Sequence, residues 1–240
     1  QLSFFKAQVP HLDTPQDHAY FSSMYNYAAK NNIKYILNGG NFSTECVREP
    51  LEWHYHASDL RHIKSIQSEF GTLKLNKFPT SDIFKYKIYY KYFKGMKVIQ
   101  PLNYIRYIKS DAITFLEEKF DWQQYSHKHY ESRFTKFYEG YWLLNKFGYD
   151  KRKAHYSSLI LTGQMSREKA LQKLKEPPYT EEIEDDFEYV ANKLEISTQE
   201  LKTLMTKENK SFRDYKSNYR LINFFTKIAR WTGLEKRIIQ

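Results

Sequence analysis

Apolar positions in the first part of the chain alternate between helical spacing and short continuous runs. A helix is predicted from Thr14, where Pro15 suits the first turn, to Asn31. Residues 33–37 form a short apolar and aromatic run bounded by turn residues, and residues 96–99 form another. Such runs predict buried strands. Helices alternating with strands indicate an α/β fold in which a parallel, doubly wound sheet is covered by crossover helices.

Three further helices are predicted in the same part of the chain. The first opens at Pro50 and runs through Leu60 to Gly71. The second covers the Lys- and Tyr-rich segment 78–94, and the third is capped by Ser110.

Beyond Trp122 the strand signals stop and the apolar spacing is helical throughout. One long helix is predicted up to Gly148, carrying Phe134, Phe137, Tyr138, Tyr141 and Leu144. Capping residues predict the starts of four more helices at Asp150, Ser166, Thr180 and Ser197, and a last helix carries Leu221, Phe224, Ile228 and Trp231. We therefore divide the chain into an α/β part, residues 1–122, and a helical part, residues 123–240.

Charge and cysteine content narrow the class of partner and the compartment. The net charge of +10 predicts an anionic partner, without choosing among nucleic acid, acidic lipid and a phosphorylated small molecule. Cys46 is the only cysteine in the sequence, so one chain can form neither an internal disulfide nor a cysteine-based zinc site. With no apolar run long enough to span a bilayer, we predict a cytoplasmic protein.

The loop at residues 38–45 is the first candidate site. Gly39 and Gly40 follow the predicted strand, at the sheet edge where open α/β folds bind ligands and where glycine lets the backbone approach a phosphate. Asn41 and Glu45 can then orient a nucleotide or its magnesium ion. A plain turn is the alternative for any glycine pair.

Residues 35–45 are similar to the second nucleotide-site motif of the PP-loop ATP pyrophosphatases. Residues 98–102 and 109–113 look like that superfamily's later strand, Pro-Leu turn and helix. The resemblance implies a PP-loop domain that binds ATP and Mg²⁺, with the nucleotide held by Gly39, Gly40, Asn41, Ser43, Thr44 and Glu45.

Two longer stretches, residues 128–141 and 146–155, closely resemble the N-acetyl sugar amidotransferase family, as do residues 157–160 and 163–168. The resemblance implies that ATP adenylates the acetamido oxygen of a nucleotide-linked N-acetyl sugar. Ammonia from a glutaminase partner then displaces AMP and gives an acetamidino sugar for lipopolysaccharide or another surface glycan.

The same stretches supply the remaining candidate residues. For catalysis these are His129, Glu131 and Arg133, and for binding the sugar or its diphosphate they are Lys128, Lys136, Lys151, Arg152 and His155. The alternatives are charges on a solvated helix face and a simple Glu131–Arg133 pair. No metal site is predicted, because the pairs His54/His56 and His127/His129 have a spacing that does not share a helix face.

The Ser-Gly-Gly-x-Asp-Ser loop that grips pyrophosphate in PP-loop enzymes does not occur in the sequence. We therefore expect the chain to be the C-terminal portion of a longer enzyme, inactive on its own. Two other functions stay open. A PP-loop enzyme that modifies tRNA would explain the basic charge, and a non-catalytic module that binds nucleic acid or a partner protein would consume no ATP.

Overall fold

The described residues fold mainly into helices, with one short pair of strands. The computed structural model describes residues 1–125, 128–179 and 183–233. The predictions made for His127 and Thr180 lie outside these residues. The helices of the first part are α1 (Leu2–Lys6), α2 (Thr14–Lys30), α3 (Phe42–Glu45), α4 (Leu60–Phe70), α5 (Lys85–Phe93, in the wider π form) and α6 (Lys109–Phe120). The second part contains α7 (Arg133–Thr135, continued in π form over Lys136–Phe147), α8 (Arg152–Leu161), α9 (Arg167–Lys175), α10 (Ile183–Lys193), α11 (Thr198–Thr206) and α12 (Tyr219–Trp231).

Both predicted strands are present and pair in parallel. They are β1 (Tyr35–Leu37) and β2 (Lys97–Ile99), with Ile36 opposite Val98. Within the described residues the sheet has these two strands only. The helical second part is confirmed, whereas the doubly wound PP-loop domain stays a prediction.

The main core joins the start of the chain to the helical second part. Phe5 packs edge-on against Trp142, with ring centroids 4.8 Å apart, and both side chains are buried. The Tyr138 hydroxyl donates to the carbonyl of Pro10 at 2.7 Å. Full burial of one such aromatic side chain contributes roughly 2–3 kcal/mol. This core therefore crosses the predicted boundary between residues 122 and 123, and that boundary stays a prediction.

A smaller core lies under the strand pair. Ala28 and Ala29 of α2 pack there with Ile36, Tyr90 and Met96. The strands are short, and Leu37 at the end of β1 stays 71% exposed. The α2–α5 layer thus covers one side of the strand pair.

The helix boundaries confirm some caps and correct others. Ser166 and Ser197 each accept a backbone hydrogen bond at the start of a helix, as predicted. The predicted helix start at Pro50 is wrong. The helix begins at Leu60, because the carboxylate of Asp59 accepts the N–H groups of Arg61 and His62, at 3.1 and 3.3 Å.

Helix α12 is attached through the same aspartate. Asn218 donates its backbone N–H and its side-chain amide to Asp59, at 2.6 and 2.9 Å. The apolar residues of α12 face outward, with Trp231 88% exposed. None of the described helices combines the length and the apolar character that crossing a membrane requires.

Candidate functional site

Helix α3, which follows the glycine loop, is docked on the C-terminal end of α8. The carbonyl of Ser43 accepts hydrogen bonds from Thr162 Oγ1 at 2.7 Å and from Gln164 Nε2 at 3.0 Å. Gln164 Oε1 accepts the backbone N–H of Lys109 at 2.8 Å. One glutamine side chain therefore ties the segment that follows the glycine loop to the first residue of α6.

Two adjoining cavities open at this junction. The smaller has a volume of about 210 Å³ and the larger about 1000 Å³. We call the smaller one the inner cavity and the larger one the lysine cleft. Predicted site residues that line the inner cavity are Thr44, Glu45, Lys128, His129, Lys151, Arg152 and His155. The lysine cleft shares Lys128, His129 and His155 with it and adds Ser43 and Glu131. The structure thus brings most of the predicted residues together.

The glycines themselves lie beside these cavities and are not among their lining residues. An added Cβ at Gly40 would lie 2.8 Å from Asn38 Oδ1, so a side chain there would require Asn38 to shift. The N–H of Gly40 donates to that same oxygen at 2.6 Å, and Asn41 Oδ1 accepts the N–H of Thr44 at 2.9 Å. These two amides are therefore satisfied within the loop, and the backbone beside Gly39 is open.

The acidic residue of the motif pairs with a lysine from the other half of the chain. Glu45 Oε1 and Lys128 Nζ are 2.5 Å apart. Burial alone would raise the pKa of Glu45, but the hydrogen bond and charge of Lys128 outweigh it, so the pKa is lowered. Glu45 is thereby held as a carboxylate at the border of the two cavities.

His155 meets a lysine that the sequence analysis did not single out. Its Nε2 lies 3.4 Å from Lys109 Nζ. Burial, followed by the charges of Lys109 and Lys128, lowers the pKa of His155 to about 4. Burial and the charges of Lys128 and Lys173 also lower the pKa of Lys109. His155 is therefore neutral at pH 7.

Lys151 is enclosed by carboxylates at the base of the inner cavity. Its Nζ lies 2.8 Å from Glu139, 3.4 Å from Glu49 and 3.8 Å from Asp13. Burial opposes the charge of Lys151, but Glu139 and Asp13 outweigh it and raise its pKa. Burial would also raise the pKa of Asp13, yet the neighbouring His54 and the charge of Lys151 lower it to about 2. His54, one of the histidines considered for metal, thus pairs with Asp13 at 3.6 Å.

Arg152 is engaged in holding α9. Its guanidinium forms a fork with Asp150, at 2.8 and 3.0 Å, and donates to the carbonyl of Glu176 at 2.7 Å. It also reaches the carbonyls of Lys173 and Leu174, both at 3.4 Å. These carbonyls are at the end of α9, where a cation is stabilising.

Arg133 and Lys136 lie apart from both cavities and meet at Asp186. Arg133 and Tyr179 both hydrogen bond to the Asp186 carboxylate, and Lys136 Nζ lies 3.5 Å from it. The Arg133 guanidinium also stacks over the ring of Tyr189, 4.4 Å from its centroid. The structure therefore separates Arg133 from His129 and Glu131, which lie together at 3.7 Å. The Glu131–Arg133 pair considered as an alternative is replaced by a His129–Glu131 contact.

Several residues of the site were missed by sequence reasoning. Lys109 and Glu139 stand inside the family-like segments, but nothing in their spacing distinguishes them from surface charges. Asp13 and Glu49 are distant in sequence from Lys151 and meet it only through folding. In the described part of the chain no group of three or more His, Cys, Asp or Glu side chains is arranged to hold a metal ion.

Taken together, these features define a helical domain that joins a short parallel strand pair. The inner cavity and the lysine cleft lie at this junction, and we call the two together the double cavity. Residues 131–229 match the family model of the LPS biosynthesis protein WbpG-like, C-terminal domain. The match confirms, for this segment, the resemblance to the amidotransferase family of surface-glycan biosynthesis, and it supports a role in lipopolysaccharide biosynthesis. Comparisons with curated proteins and with solved structures gave no match.

Proposed function

We propose that the chain provides the sugar-binding and catalytic surface of an ATP-dependent amidotransferase that converts an acetamido sugar into an acetamidino sugar. The observation that carries the proposal is the double cavity. It joins Thr44 and Glu45 of the nucleotide-like loop to Lys128, His129 and His155, which come from segments that resemble the amidotransferases or border the WbpG-like match.

The chemistry requires activation of a poor leaving group. The acetamido oxygen attacks the α-phosphorus of ATP and releases pyrophosphate. Ammonia then adds to the imidate carbon, the C–O bond breaks, and AMP leaves while one proton is lost to a base. Cations beside the phosphates stabilise the charge that develops in the first step.

The residues of the double cavity suit these roles to different degrees. Lys128 carries its charge between the two cavities, next to Glu45. His129 and Glu131 form an exposed pair at the rim of the lysine cleft, so we assign proton transfer to them. Neutral His155 is suited to accept or donate a hydrogen bond to the sugar.

The other predicted residues have contacts that favour positioning. Arg133 and Lys136 hold Asp186, Arg152 holds the end of α9, and Lys151 is surrounded by carboxylates. We propose that Lys151 and Arg152 keep the walls of the cavities in place, that Arg133 and Lys136 hold α10 on α7, and that substrate contacts come from the other lining residues.

Glu45 and the backbone at Gly39 are suited to binding Mg²⁺ and a phosphate of ATP. Mg²⁺ commonly binds through one or two carboxylates together with substrate phosphates and water. Glu45 supplies one ionised carboxylate next to the loop, and the open backbone at Gly39 leaves room for a phosphate. Ammonia from a glutaminase partner and a nucleotide-linked N-acetyl sugar complete the proposed reaction.

Mass spectrometry tests the proposal directly. The full-length gene product is incubated with a UDP-linked N-acetyl sugar, ATP, Mg²⁺ and ammonium, with the 240-residue chain run alongside, and the amidine, AMP and pyrophosphate are quantified. We expect product with the native protein and at least a tenfold lower rate with Glu45→Gln, whereas Lys119→Ala on the exposed end of α6 serves as the matched control. Unchanged sugars together with RNA-dependent ATP consumption would contradict the proposal and favour tRNA modification.

A further inference from the structure

The lysine cleft has a strong excess of positive charge. Its described lining residues include the cations Arg106, Lys109, Lys128, Lys169 and Lys173. Glu131 is the carboxylate among those same lining residues. Cations from the start of α6, from the segment before α7 and from α9 therefore converge on one cavity.

Lys109 lies beside the ring of His155, with other cations close to it. In the described part of the chain no carboxylate lies within ion-pair distance of it, and the neighbour of its Nζ is the neutral ring of His155 at 3.4 Å. Lys128 and Lys173 are close enough to disfavour its charged form. Glu45 partly offsets Lys128, but Lys109 and Lys173 add further positive charge around the same half-enclosed space, and a bound anion would reduce the repulsion among them.

The anion must match the shape and charge of this cavity. The volume of about 1000 Å³ holds a ligand larger than a single phosphate. The cleft also has aromatic walls, including Tyr107, Trp122 and Tyr125, which suit a nucleobase or a sugar ring. Extended RNA would instead be expected to follow a stripe of exposed cations.

We propose that Lys109, Lys128 and Lys173 together form a binding site for a diphosphate group, carried by a nucleotide-linked sugar or by ATP. Arg106 and Lys169 lie at the exposed margin of the same cleft and strengthen the attraction. The inference rests on the proposed function for the choice of ligand, but it concerns binding and can be measured without turnover.

Isothermal titration of the 240-residue chain tests the site with four probes: pyrophosphate, UDP, a UDP-linked N-acetyl sugar and ATP. Lys109→Ala and Lys173→Ala are each expected to weaken binding about tenfold, because each removes one charge-assisted contact. The matched controls are Lys119→Ala on α6 and Lys175→Ala on α9, whose side chains are exposed outside the cleft lining. We expect them to bind within about twofold of the native chain. Circular dichroism and thermal unfolding verify that all four variants are folded.

The four probes distinguish the possible sources of the diphosphate. Tighter binding of the UDP-linked sugar than of UDP and ATP identifies a sugar nucleotide, and the reverse order identifies ATP. No binding of any probe, or binding that is equal in the lysine variants and the controls, overturns the inference. Binding of an RNA oligonucleotide that both lysine variants abolish, with no response to the four probes, also overturns it.

The same variants distinguish this inference from the proposed function. Amidine formation that survives in Lys109→Ala and Lys173→Ala, with unchanged affinity for the probes, leaves the proposed function standing and overturns the diphosphate site. Weakened binding in both variants with no amidine formed by the full-length gene product confirms the site and contradicts the proposed reaction.

Discussion

At the scale of single residues, the contacts of Lys151 indicate that it stabilises the fold. Its side chain is 13% exposed and faces Asp13, Glu49 and Glu139. Three carboxylates packed around one ammonium group carry an excess of negative charge, which His54 partly offsets through Asp13. Removing the lysine would leave these carboxylates facing one another in a partly desolvated site.

Lys151→Met is therefore expected to lower the free energy of unfolding by about 3 kcal/mol, because a buried ion-pair partner is lost while the carboxylates remain. Urea unfolding followed by circular dichroism measures the change. Lys153→Met is the matched control, since Lys153 lies exposed on the same helix and its replacement should stay within about 0.5 kcal/mol. Equal stability of both variants would show that Lys151 has no such role.

Residue types that bind phosphate could be recognised from the sequence, but their partners could not. The prediction grouped Lys128, Lys151 and His155, and the structure places all three on one cavity. It could not show that Lys151 is enclosed by carboxylates, because Asp13 lies 138 positions away and approaches only in the folded chain. For the same reason the sequence did not reveal Lys109, whose pKa is lowered by burial and by the charges of Lys128 and Lys173 nearby.

At the scale of secondary-structure elements, local signals predicted helices well where a side chain caps the first turn. Ser166 and Ser197 are such cases. Pro50 was misleading, because a proline tolerates the first turn of a helix without creating one, and the chain at residues 51–53 forms a turn instead. The π form of α5 and of most of α7 was not predicted, since it depends on packing of the finished core.

Helix α10 is fixed to α7 by one buried carboxylate. Asp186 is 3% exposed and accepts contacts from Arg133, Lys136 and Tyr179. Because two cations and a hydroxyl converge on it, Asp186 determines how the N-terminal half of α10 sits against the core.

Asp186→Ala is expected to destabilise the chain by about 3 kcal/mol and to speed hydrogen exchange in α10. The matched control is Asp185→Ala, because Asp185 is exposed and contributes its backbone carbonyl, not its carboxylate, to Arg133. Hydrogen exchange measured by mass spectrometry on peptides covering 183–193 reports the local effect. Exchange in α10 that matches the control would contradict the role assigned to Asp186.

At the scale of the whole molecule, neutral histidines are buried in both parts of the chain. His11 and His62 are both fully buried, and their Nε2 atoms are 2.8 Å apart. Burial lowers the pKa of His62 to about 4 and that of His11 well below its ordinary value. His155 at the double cavity behaves in the same way, with a pKa of about 4.

These histidines make acid destabilising. Between pH 6.5 and 4 the unfolded chain binds protons at His11, His62 and His155 that the folded chain excludes, so the free energy of unfolding falls as the pH falls. Two groups oppose this trend, because the pKa of Asp17 is raised by burial to about 6 and the contact with Asp13 raises that of His54 against its burial. Burial also lowers the pKa of His18 and of His56. The histidines whose pKa is lowered therefore outnumber the two groups whose pKa is raised.

We therefore expect the free energy of unfolding to be fully developed above about pH 6.5 and to decrease steadily toward pH 4, as measured by urea unfolding at half-unit intervals. His155→Gln should reduce the slope in this interval, because it removes one site that protonates in the unfolded chain and is excluded in the folded one. A slope that His155→Gln leaves unchanged would mean that His155 binds its proton equally in both states, and the neutral histidine assigned to the sugar site would then be wrong as well.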